Sequence, residues 1–239
     1  MKRIMLFVSA CIVVFNLTGC SNSTEPATSG SLSLSSKYQT TILAKDGNLS
    51  GIDSVRITKA TFLLREIKYK TQNDSTDGLY KTTPLLFELN LTGSIQTIGN
   101  VTVPFGSYTK LEFDIHKAEA SDTTAMTAEQ RVKMRAFFAG IDRNSIIIEG
   151  RTYTGGVATN FVYKSSLNVK QKITLSAALE VFESNPEHNA TIIFSSFGWF
   201  LNNSTLLDPA DSRNFTKIDD NIRQSIRAIK DKNKDGFEG

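Results

Sequence analysis

The chain predicts a mainly β protein, an antiparallel β-sandwich. Three observations carry that reading. Short runs rich in β-branched and aromatic residues recur at 57–69, 85–91, 95–103, 108–115, 146–149, 160–165, 170–175, 178–182 and 191–200. Turn-forming clusters separate the runs, among them Asp46-Gly47-Asn48, Asp77-Gly78, Gly99-Asn100, Pro104-Phe105-Gly106, Gly155-Gly156 and Asn185-Pro186. The intervals are too short and too β-branched for the crossover helices that parallel strands require.

The N-terminus has a different character. Lys2-Arg3 precedes an apolar stretch, 4–15, that is shorter than the roughly 20 residues needed to cross a bilayer. A basic start, a short apolar segment and small residues before a cut read as a secretory signal. Leu17-Thr18-Gly19-Cys20 closes it and resembles the bacterial lipobox, in which Cys20 would be acylated and become the first mature residue. Residues 21–30, Ser-Asn-Ser-Thr-Glu-Pro-Ala-Thr-Ser-Gly, have no hydrophobic periodicity and read as a flexible tether. The chain thus divides into a signal peptide at 1–19, a lipidated N-terminus and tether at 20–30, and a β domain at 31–239. The expected location is the bacterial envelope, lipid-anchored at the outer membrane.

Cleavage also removes Cys11, Lys2 and Arg3. Cys20 is then the last cysteine, so disulfides and cysteine chemistry are excluded. The full chain carries 27 Lys and Arg against 24 Asp and Glu, and losing two cations leaves a net charge near +1. So balanced a chain has no broad field for nucleic acid.

Within the domain, Leu32 and Leu34 alternate with serines as a first strand. Ile57, Leu63, Ile67 and Tyr69 share one parity of a long second run and are expected on one face. Two segments read as helices. Thr127-Ala128-Glu129-Gln130 fits a capping box, with Gly140 as its stop. Ile218, Ile222, Ile226 and Ile229 form one apolar stripe, opposite Arg223, Arg227 and Lys230, and predict an amphipathic C-terminal helix through residue 230.

Three places bear on chemistry. Asp231-Lys232-Asn233-Lys234-Asp235-Gly236 matches the first half of an EF-hand loop, with Asp231, Asn233, Asp235 and the Phe237 carbonyl as Ca²⁺ ligands. Its twelfth position lies beyond Gly239, so the alternative is a charged, frayed terminus. Glu112, Asp114 and His116 alternate with Leu111, Phe113 and Ile115; they share one strand face, either open to solvent or able to join a metal site. Phe194, Phe197, Trp199 and Phe200 concentrate ring area, either as core or with Trp199 and Phe197 as a binding surface. His188 falls in an expected exposed turn. No Gly-x-Ser-x-Gly elbow, His-Glu-x-x-His, phosphate loop or GxGxxG is present, so no catalysis is expected.

The run Trp199-Phe200, Leu207-Asp208-Pro209-Ala210-Asp211, Asn221-Ile222-Arg223-Gln224-Ser225 and Asp231–Gly236 resembles the end of a group of poorly characterised bacterial envelope lipoproteins. Val103-Pro104-Phe105-Gly106-Ser107-Tyr108 is similar to their Pro-x-Gly-x-Tyr turn. The resemblance implies an Ig- or transthyretin-like sandwich and no assigned activity. The expected function is a binding or structural module contacting an envelope protein or glycan. An adhesin or fimbria-like subunit, or a carboxylate- or metal-dependent hydrolase, stands as the alternative.

Overall fold

A computed structural model describes residues 28–39, 43–44, 51–72, 77–81, 84–124, 126–139 and 143–239. The signal peptide, Cys20, Asp46-Gly47-Asn48 and Gly140 lie outside the described residues. The strands are β1 Ser29–Gln39, β2 Leu43–Ala44, β3 Ser54–Thr71, β4 Asp77–Lys81, β5 Leu85–Glu88, β6 Gln96–Pro104, β7 Gly106–Ile115, β8 Ile146–Thr154, β9 Val157–Ser165, β10 Val169–Val181, β11 Glu187–Ser195, β12 Leu201–Asn202, β13 Thr205–Leu206 and β14 Ile226–Lys230. The helices are α1 Ala128–Met134 and α2 Phe215–Ser225. Among the described residues no helix is long and apolar enough to cross a membrane.

These strands form a sandwich. One sheet runs β14-β11-β1-β6 and the other β10-β7-β3-β8-β9, with β2, β4 and β5 also pairing to β3. Their inner faces meet in one core: Leu32 and Leu34 of β1 and Ile192 and Phe194 of β11 face Phe62, Leu111, Phe113, Ile148 and Leu179. The Phe62 and Phe194 rings, from different sheets, lie 5.2 Å apart, and Trp199 stacks edge-on against Phe62 and Tyr38. Tyr69 adds a polar tie, its hydroxyl donating to the Ser33 carbonyl at 2.8 Å.

Four details depart from the sequence reading. The first strand begins at Ser29, two residues inside the expected tether. It pairs with β11 in parallel, although the rest of the two main sheets is antiparallel. Most of the chain separates the two strands, which is ample length for a parallel connection. In β3, Glu66 adopts a positive φ of 53° and the register shifts between Arg65 and Lys68. This bulge resets the parity: Ala60, Phe62, Leu64, Ile67 and Tyr69 face the sandwich core, while Leu63 turns outward. Finally, the C-terminal helix ends at Ser225 rather than continuing to residue 230. The Ser225 hydroxyl donates to the Ile222 carbonyl and accepts from Trp199 Nε1, closing the helix end. Ile226 and Ala228 then alternate inward as β14 against β11.

Leu63 seeds a second, smaller core with Ala118, Met126, Met134, Phe137 and Ile147. The segment between β7 and β8 thus folds over the outer face of the larger sheet. Thr127 caps α1 as expected, with Gln130 N donating to Thr127 Oγ1 and Thr127 N to Gln130 Oε1. The helix is short, giving way to a 3-10 turn over Arg135–Phe138 that buries Phe137 beside Met134.

Candidate functional site

The end of β7 gathers the polar residues with the most unfilled bonding capacity. Glu112 and Asp114 project from its outer face, each opposite cations on both neighbouring strands. Glu112 pairs across to Lys68 on β3 and Lys172 on β10, and Asp114 to Arg65 and Lys170. Lys172 Nζ stands 3.5 Å from Glu112 Oε1 and Lys170 Nζ 4.0 Å from Asp114 Oδ1. Lysines flank both carboxylates, and Glu112 is buried, not solvated as an open strand face would leave it. Cross-strand charge pairing accounts for both acids.

His116 follows at the strand's exit, its backbone N–H donating to the Leu63 carbonyl beside the Glu66 bulge. Its side chain is 1% exposed. A 3-10 turn over Ala120–Thr123 then folds the chain back and brings Asp122, 3% exposed, against the ring. His116 Nε2 lies 3.3 Å from Asp122 Oδ2 and 3.9 Å from Glu119 Oε2. Asp122 Oδ2 is held by the Glu119 backbone N–H at 2.6 Å, and Arg65 Nη1 flanks Glu119 Oε2 at 3.7 Å. Neither ring nitrogen of His116 has a hydrogen-bond partner among the described residues. Glu119 and Asp122 escaped the sequence reading. Their signal was the spacing His116-x-x-Glu119-x-x-Asp122, the three-residue period of a 3-10 turn.

The C-terminal loop is the opposite case. Asp231 is fully buried beneath the serine face of β1. Ser33 and Ser35 donate to Asn189 Oδ1, and Asn189 Nδ2 donates in turn to Thr191 Oγ1 and the Asp231 carbonyl. The Asp231 carboxylate takes the Thr191 hydroxyl at 2.6 Å, Gly236 N at 2.8 Å and Asp235 N at 3.0 Å. Asp235 accepts from Phe237 N and Asn233 Nδ2, and its carbonyl accepts from Lys37 Nζ, which also lies over the Phe237 ring. Gly236 has a φ of 79°, and a Cβ there would run into the Lys37 side chain. A strand rather than a helix precedes this loop, so it lacks the first helix of an EF-hand.

The remaining expectations separate cleanly. Trp199 is wholly buried and offers no stacking face, which corrects its reading as a binding residue; Phe197 is 56% exposed. Trp199, Asn221 and Ser225 instead form a staple, with Asn221 Nδ2 donating to the Trp199 and Leu201 carbonyls. His188 is buried in β11, not exposed in a turn, its Nε2 2.7 Å from the Glu180 carbonyl. The Tyr108 hydroxyl donates to the Pro104 carbonyl at 2.9 Å, locking the Pro-x-Gly-x-Tyr turn, and burial pushes its pKa up. On β9, Tyr163 donates to Asp219 Oδ1 of α2 at 2.5 Å. Burial raises the pKa of both groups.

No family model matches the chain, and no curated protein matches it. A solved structure, MbnP from Methylosinus trichosporium, matches at a TM-score of 0.35 and 10% identity, over 72% of this chain and 76% of that one. A likeness of that degree carries no argument about the site.

Proposed function

We propose that the chain is a lipid-anchored protein of the bacterial outer membrane whose β-sandwich serves as a binding or structural module for an envelope protein or glycan. The observation that carries this reading is Leu17-Thr18-Gly19-Cys20, followed within nine residues by β1 at Ser29. At full extension that interval reaches about 30 Å, so a lipid on Cys20 would hold the sandwich close to the membrane. Ser29 pairs with Pro104, and the Thr28 carbonyl accepts from Phe105 N. The 104–106 turn would therefore face the lipid, and the far end of β7 would point away.

Strand β9 supports a binding role. It is a nine-residue edge strand with Val157 and Val162 exposed, and no further strand borders it among the described residues. Such an edge accepts a partner's strand through its backbone. The same edge supports the second reading, an adhesin or fimbria-like subunit, in which the added strand comes from another copy.

Cys20→Ala followed by membrane fractionation tests the anchor. The variant is expected in the soluble envelope fraction; membrane partitioning equal to wild type would sink the reading.

A further inference from the structure

We propose that His116, Glu119 and Asp122 form a binding site for a divalent transition ion of the zinc type. Single ligand atoms from the three residues all lie within 4.8 Å of one another. Donors around a tetrahedral Zn²⁺ stand roughly 3.3–3.5 Å apart, given bonds of about 2.0–2.1 Å. The 3.3 Å between His116 Nε2 and Asp122 Oδ2 already matches one edge of that tetrahedron. Glu119 Oε2, at 3.9 Å, would close the second edge with a small rotation of its half-exposed side chain.

The independent observation is the histidine. A ring 1% exposed with neither nitrogen hydrogen-bonded among the described residues is costly as it stands. An ion on Nε2 would satisfy that nitrogen where the Glu119 and Asp122 carboxylates converge. Two carboxylates against one imidazole favour a cation at this point. One imidazole and two carboxylates suit Zn²⁺ rather than Ca²⁺ or Mg²⁺, which prefer all-oxygen shells.

The supports are built in. The Glu119 backbone N–H fixes Asp122, Arg65 orients Glu119 from outside, and the Leu63 carbonyl holds the His116 backbone. Three protein ligands leave a fourth position for water or a partner's side chain. This site is independent of the lipid anchor and of the β9 edge.

The test is Zn²⁺ titration of the full chain purified in detergent, against a chromogenic competitor. One Zn²⁺ per chain is expected, with Glu119→Gln weakening affinity about tenfold or more. Glu119 is the residue to change because its side chain is 53% exposed, whereas truncating His116 would open a buried space. The chain has two histidines, so ring resonances give a second readout. Zn²⁺ should shift the His116 ring and leave that of His188 in place. Absence of stoichiometric uptake, affinity unchanged by Glu119→Gln, or a shift of the His188 ring alone would each overturn the proposal.

Discussion

Two clusters in this protein differ in whether the buried polar group at the centre already has its hydrogen bonds. In the C-terminal loop, Asp231 receives the Thr191 hydroxyl and the Gly236 and Asp235 N–H groups, all from its own chain. At the end of β7, the buried His116 ring has no hydrogen-bond partner among the described residues, and the two carboxylates beside it converge on Nε2. Both span seven residues of sequence; the first matches an ion-loop motif, whereas the second shows only a three-residue spacing. Chemistry reverses that order. Asp231 already has its donors and gains little from an ion, whereas the buried His116 imidazole, which makes no hydrogen bond among the described residues, gains a bond.

The largest effect expected from this contrast is on stability. Asp231→Ala strands three donors, of which the Thr191 hydroxyl and Gly236 N–H are buried. At about 1–3 kcal/mol for each buried group left unsatisfied, the loss should reach about 3 kcal/mol. Urea unfolding checks it as a lower midpoint at unchanged slope. A loss below about 1 kcal/mol would mean that the loop is not the staple of the serine face.

The same contrast explains what the sequence made legible. Alternation and turn residues located the β runs of the sandwich, because each side chain's burial there is set by its own strand. The hairpin at Gly155-Gly156 could be read directly, since both residues have the positive φ that a two-residue turn demands. What escaped were features decided between elements. One positive-φ residue, Glu66, moved Leu63 to the opposite face from Ile67. Ile226 satisfies a helical period and a strand period equally, and pairing with Phe194 chose the strand. The Leu/Ser alternation of β1 hid a buried polar face, because the Asn189 and Asp231 that fill it are about 150 to 200 residues away. Glu119 and Asp122 were legible only as a spacing, which gains meaning once His116 is known to be buried.

A third polar pair, Tyr163 with Asp219, sharpens the comparison through pH. Burial raises the Asp219 pKa above its ordinary value, outweighing the Ser165 and Tyr163 hydrogen bonds that lower it. Its folded-state pKa therefore exceeds its unfolded one, and the folded chain binds more protons between the two values. Asp219 thus contributes most below its unfolded pKa of about 3.9, and that contribution is lost as pH rises through the folded pKa. Asp219→Asn should flatten this part of the stability profile, measured by urea unfolding across the acid range. Profiles of equal slope in the two proteins would show that burial does not govern this carboxylate.

The smallest expected effect is the most direct challenge to the comparison. Ca²⁺ and a chelator should give superimposable melting curves for the full chain. A ligand that binds only the folded state raises stability in proportion to the logarithm of its concentration over Kd, so a functioning Ca²⁺ loop could not hide at millimolar ion. Here the Asp231 and Asp235 carboxylates already accept donors from the loop itself and from Thr191. Lys37 also places its ammonium on the Asp235 carbonyl at 3.0 Å, where an incoming cation would meet a like charge. Zn²⁺ provides the contrast, because the cluster it would occupy is built from other residues. If Ca²⁺ raised the melting temperature and Asp231→Asn abolished the rise, the two clusters would have to exchange roles. The loop would then be an ion site that closes on its own donors when empty, and saturation would no longer distinguish a staple from a ligand set.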